Sequence, residues 1–113
     1  MKYVLMFAET PQYAEDLAAM DDAQRQAAYD EVGRWFADNA ARIIHHAHLQ
    51  GPHTATTVRR VDGGHEVTDG PFVEGKEIVV GFVEVEVADL DEALAMARSW
   101  PACPIVELRP VSP

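Results

Sequence analysis

The run Ile78–Val87, I-V-V-G-F-V-E-V-E-V, constrains the fold more than any other stretch of this chain. Side chains alternate across a strand, so Val83, Val85 and Val87 share one face while Phe82, Glu84 and Glu86 share the other. A strand buried on both faces reads as continuous hydrophobic sequence; one half-charged face argues for an antiparallel sheet covered fully on one side only.

The flanking segments supply the covering. Tyr3–Ala8 reads as a buried first strand, stopped at Glu9. Thr10-Pro11 is a helix cap with proline at the first helical position, opening a short helical turn through Leu17. Asp21 with Gln24 three residues on forms a capping box. Val32, Trp35, Phe36, Ala40, Ile43, Ile44 and Ala47 then recur at helical spacing, which predicts a long helix running into His45-His46-x-His48 and stopped by Gly51-Pro52. Thr54–Val61, rich in β-branched residues, reads as the second strand, and Asp62-Gly63-Gly64 as a hairpin turn into a short return strand, Glu66–Thr68. Asp89 caps a last helix carrying Leu90, Ala93, Leu94 and Ala97 on one face and closed by Trp100-Pro101. Ile105–Val111 is the last strand.

End to end this is an α+β chain with the ferredoxin-like β-α-β-β-α-β order and a hairpin insertion: an antiparallel sheet with two helices on one face. The uncovered sheet face then calls for a second copy, so that the chain is expected to be a homodimer with its two sheets facing each other. Small domains leave much surface open and gain from such association. At 113 residues the chain is a single domain, 1–113.

Charge and cysteine count exclude some functions. Nine basic against nineteen acidic residues give a net charge of −10, which disfavours direct nucleic acid binding, because that affinity comes mainly from Lys and Arg on phosphates. The first apolar run is too short for a signal peptide or a membrane span. With Cys103 alone no intrachain disulfide can form; a cytoplasmic location is expected. No nucleophile elbow, P-loop or dinucleotide fingerprint is present, so no cofactor is assigned. Cys103 has no basic neighbour in sequence to lower its thiol pKa.

The most chemically loaded stretch is Val67–Phe82, V-T-D-G-P-F-V-E-G-K-E-I-V-V-G-F. Gly70 is free to take φ > 0 and Pro71 fixes its own φ, so the turn is rigid. Phe72 is then an aromatic anchor beside Glu74, Lys76 and Glu77, and charged groups held on a fixed loop are suited to binding. Asp69 has two readings: a general base if burial raises its pKa, or a turn residue bonded to its own backbone. Glu74, Lys76 and Glu77 either contact a polar ligand or form solvated or intersubunit pairs. Glu107 and Arg109 point the same way on their strand, either to orient a carboxylate or to pair structurally. The histidines His45, His46 and His48 favour a helix C-terminus by charge. Metal binding through two of them lacks a Cys or carboxylate at a characteristic spacing, so no metal is assigned.

Thr56-Thr57-Val58-Arg59, Asp62-Gly63, Val67-Thr68-Asp69-Gly70-Pro71-Phe72-x-Glu74-x-Lys76-Glu77, Gly81-Phe82 and Val106-Glu107-Leu108-Arg109-Pro110-Val111 together resemble the DGPF family, a branch of the YciI-related proteins. The resemblance covers nearly the whole chain. It implies a ferredoxin-like monomer pairing into a dimeric α/β barrel, a genomic link to extracytoplasmic-function sigma factors, and a pocket His and Asp acting as an acid/base pair. His46 and Asp69 are the candidates here, with Phe72, Glu74, Lys76, Glu77 and Arg109 as ligand contacts. Two function classes follow: a small enzyme acting on a small molecule, or a non-catalytic regulatory module with a partner such as a sigma factor.

Overall fold

In the computed structural model, which describes residues 1–72 and 75–113, ten elements follow one another along the chain. β1 (Lys2–Glu9) leads into α1 (Pro11–Ala19) and α2 (Asp22–Asp38), then β2 (Ile43–His48) and a short 3-10 turn, Pro52–Thr54. β3 (Thr56–Val61) and β4 (Gly64–Asp69) follow, then β5 (Ile78–Glu86), α3 (Leu90–Arg98) and β6 (Ile105–Pro110). Four strands form an antiparallel sheet in the order β2-β5-β1-β6, and β3 and β4 form a separate two-stranded sheet. This is the ferredoxin-like arrangement, with the β3–β4 hairpin inserted between the second and third core strands.

The starts of the helices follow their sequence signals. Thr10 Oγ1 accepts from the Tyr13 amide with Pro11 at the first helical position. The Asp21–Gln24 capping box is closed by hydrogen bonds in both directions. Asp89 caps α3 by accepting from the Glu92 amide at 2.9 Å.

One expected boundary is wrong. The long helix does not run into the histidines: it ends at Asp38, and Ile43–His48 is β2, the edge strand of the main sheet. Asn39 stops the helix, its side chain buried and donating from Nδ2 to the Trp35 carbonyl at 2.9 Å. The second core strand is therefore β2, and Thr56–Val61 belongs to the inserted hairpin. Pairing with β5 overrides the helical spacing of Ala40, Ile43, Ile44 and Ala47.

The core lies between the sheet and the helices. Tyr3, Leu5 and Phe7 of β1 and Val83 and Val85 of β5 are buried against Trp35 of α2 and Ala93 and Met96 of α3. Trp35 Nε1 donates to the Met96 carbonyl and to Ser99 Oγ, both at 3.1 Å, which ties α2 to α3. Phe7, Trp35, Phe36 and Trp100 form an aromatic cluster with ring centroids 4.2–6.2 Å apart. The spacing suits edge and offset packing.

Among the described residues no helix covers the other face of the sheet. Val4, Met6, Ala8, Phe82 and Ile105 lie half-buried on it beside Glu84, Glu107 and Arg109. The radius of gyration is 16.3 Å, against about 13 Å for a compact chain of this length, and the strands of the inserted hairpin chiefly contact each other rather than the main sheet. Among the described residues no helix is long and apolar enough to cross a membrane.

Candidate functional site

The end of the sheet where β1 and β2 stop and β5 begins is shaped by two irregularities. The β1–β5 register shifts between Phe7 and Ala8, so that Phe7 pairs with Gly81 and Ala8 with Val79, leaving Val80 as the bulged residue. Bulges bend a strand and re-aim its groups, and they recur beside functional sites. Here the Val80 carbonyl accepts from the Leu49 amide at 2.8 Å, holding the segment after β2 against the bulge. A cleft of about 460 Å³ results, lined by Glu9, His48, Leu49, Gln50, Gly51, Pro52 and Val80.

Strand alternation distributes the three histidines. His45 pairs with Glu84 on the open face, its ring centroid 5.6 Å from Phe82. His46 and His48 fall on the helix side, opposite Val83 and Gly81. The His46 ring stacks at a tilt on Phe36, centroids 4.6 Å apart. Behind the cleft, Glu9 lies close to Tyr13 and Cys103. Burial, together with the nearby thiol, the Glu9 carboxylate and Tyr29, raises the Tyr13 phenol pKa. Burial likewise raises the Cys103 thiol, with the indole N–H of Trp100 opposing and Glu9 adding to the rise. Among the described residues no acceptor stands in full hydrogen-bond geometry to the buried Trp100 Nε1. The thiol is therefore protonated and inert at neutral pH, as its sequence context suggested. Sequence reasoning missed Glu9 and Tyr13. Glu9 read only as the residue that ends an apolar run, and its convergence with His48 exists only once β1 and β2 are placed on either side of β5.

The D-G-P-F turn is elsewhere, at the base of the inserted hairpin. Gly70 has φ +94°, the left-handed conformation its sequence context allowed. Its amide donates to the Ala55 carbonyl and its carbonyl accepts from Thr57 Oγ1, at 2.8 and 2.7 Å. Arg59 Nη2 donates to the Phe72 carbonyl at 2.8 Å. These bonds weld the turn to the hairpin, so Phe72, 72% exposed, is carried as part of it. Asp69 is exposed at the end of β4, paired in register with Thr56. Lys76 and Glu77 are exposed, and Glu74 lies outside the described residues. Arg109 pairs with Glu107 on the open sheet face. Among the described residues Asp69 and His46 share no hydrogen bond: one sits on the hairpin, the other on the helix side of the main sheet.

A second cleft of about 380 Å³ lies between the ends of α2 and α3, lined among others by Glu31, Arg34, Asp38 and Asn39. Its Trp35 indole is committed to joining α2 to α3 and its Asn39 amide to ending α2.

The family model of the YCII-related domain matches this chain over residues 1–113. An uncharacterized protein of Rhizobium meliloti (strain 1021) is 40% identical over 104 residues, covering 87% of this chain and 77% of the relative.

Proposed function

This chain belongs to the YCII-related family, and from that premise we propose that it works as a homodimeric small-molecule-binding protein, its two open sheet faces packed together as an α/β barrel. The observation that carries the pairing is the uncovered face itself: Val4, Met6, Phe82 and Ile105 lie side by side there, and among the described residues no helix lies above them. Burying such a surface contributes about 25 cal/mol per Å² of apolar area. Glu107 and Arg109 neutralise each other within that face, which lowers the cost of covering it.

The ligand site in this reading combines the cleft at the β5 bulge with the D-G-P-F turn. His46 and Asp69 are the proton-transfer candidates in this reading; because His46 lies on the helix side of the edge strand β2, away from the packed sheet faces, their meeting requires the partner's hairpin to reach around that sheet edge. Phe72 supplies an apolar contact, and Glu74, Lys76, Glu77 and Arg109 supply polar ones. The non-catalytic alternative, a regulatory module with a partner such as a sigma factor, is favoured by the separation of Asp69 from His46 in the single chain. Sedimentation equilibrium of the wild type and of Met6→Glu tests the pairing. A wild-type dimer made monomeric by Met6→Glu, with its folded signature kept, is the expected result, because the change places an unpaired carboxylate in the interface. A dimer indifferent to Met6→Glu overturns the sheet-to-sheet arrangement.

A further inference from the structure

We infer that the cleft at the β5 bulge takes the ammonium end of a small primary amine, with Glu9 as the counter-charge and His48 and Gln50 as hydrogen-bond acceptors beside it; the inference rests on the ligand-binding reading of this cleft and needs only one chain. Two strands bring the polar groups together. Glu9 follows Tyr3, Leu5 and Phe7 at two-residue spacing on β1, so it lies on their helix side of the sheet. His48 falls on the same side of β2, opposite Gly81, which presents no side chain beside it. Both line the cleft of about 460 Å³, with Gln50 from the segment after β2.

Charge selects the ligand. Among the described residues Glu9 supplies the carboxylate of the lining, no lysine or arginine lines the cleft, and no ion pair engages Glu9. The groups behind the carboxylate do not neutralise it, because Tyr13 and Cys103 both keep their protons at neutral pH. A half-buried carboxylate left without a cation attracts a positive group, and an anionic ligand would meet its repulsion. An ammonium carries three donors and no acceptor. The Glu9 carboxylate, a neutral His48 imidazole and the Gln50 side-chain carbonyl offer acceptors on one cleft. Leu49, Pro52 and Val80 add an apolar wall for a short hydrocarbon body. That wall is preformed. The Val80 carbonyl accepts from the Leu49 amide at 2.8 Å, and the Gly51 carbonyl accepts from the Thr54 amide and hydroxyl at 3.0 and 2.7 Å. Binding therefore requires little ordering of the chain.

The test is an amide chemical-shift titration of the full chain at neutral pH with n-butylamine hydrochloride, and in parallel with n-butanol and sodium butyrate, which share its body and differ in charge. The amine is expected to shift the amides of Glu9, Leu49, Gln50 and Gly51 saturably, with a dissociation constant of order millimolar, at least about 10-fold below those of the alcohol and the acid. Glu9→Gln should weaken amine binding about 10-fold or more. Glu66→Gln, which removes an exposed carboxylate on the hairpin, should leave it unchanged. His48→Ala, at an exposed edge-strand position, should weaken it as well and gives a second reading if Glu9→Gln fails to fold. Binding that survives both cleft substitutions overturns the inference, and so does an equal loss in Glu66→Gln. Cleft amides that respond to the alcohol or the acid as strongly as to the amine remove the amine preference and keep the cleft as a small-molecule site. Cleft amides that respond to none of the three remove both.

Discussion

Gly81 of β5 lies so close to the Ala47 carbonyl of β2 that a Cβ on Gly81 would sit 2.9 Å from that oxygen. The obstacle is backbone, which cannot swing aside as a side chain can, so any larger residue must push the edge strand outward. Because β2 carries His46 and His48, this one contact sets how near the imidazoles stand to the bulge at Val80. Gly81→Ala is expected to destabilise the fold by about 1–3 kcal/mol, read by urea denaturation. The amides of β2 should also exchange hydrogen faster than those of β1. Unchanged stability would mean that β2 does not depend on this approach.

Trp35 joins the two helices through one nitrogen. Trp35→Phe keeps most of the ring in the core but removes the donor shared by the Met96 carbonyl and Ser99 Oγ. A loss of about 1–2 kcal/mol is expected, small because Ser99 Oγ still donates to the Met96 carbonyl at 2.9 Å. Thermal melting checks it.

Cys103 and Tyr13 give the fold an alkaline limit. Burial raises both groups, so the native state holds their protons more tightly than the unfolded chain does. Their contribution is complete below the unfolded values, 9.0 for the thiol and 10.0 for the phenol, and is lost as pH climbs from there through the folded values. The melting temperature should therefore fall more steeply above pH 9 in the wild type than in Cys103→Ala or Tyr13→Phe. Parallel curves would contradict the burial.

Asp69 and His46 are both exposed in the single chain, so their replacement should leave stability nearly unchanged. In the proposed dimer, Asp69→Asn and His46→Gln should each reduce turnover of an identified substrate by about 100-fold or more, with assembly retained. Full turnover in the double variant would remove the pair from the mechanism and favour the non-catalytic module.

Most of the architecture is legible in the sequence because local and global signals agree. The cap at Asp21, the alternation in Val83–Val87 and the turn at Gly63 all name the element that forms. The failure at Ile43–His48 has a physical cause. The stretch Asn39–Arg42 breaks the helix without a proline or glycine, through an asparagine whose side chain turns back on the Trp35 carbonyl. The strand beyond it, rich in histidine, is fixed by pairing with β5 rather than by its own propensity. The cleft was hidden for the same reason. His48 is far in sequence from Glu9, and only the position of β2 at the sheet edge and the bulge at Val80 bring the two to one end of the fold.

In the proposed dimer two copies complete one ligand site, and a native mass spectrum of the protein as isolated, followed by one after mild denaturation, tests that most directly. The predicted result is a species at twice the chain mass of 12.5 kDa, with added small-molecule mass that leaves on denaturation. A species at the mass of one chain at every concentration would contradict the paired sheets and, with them, the site.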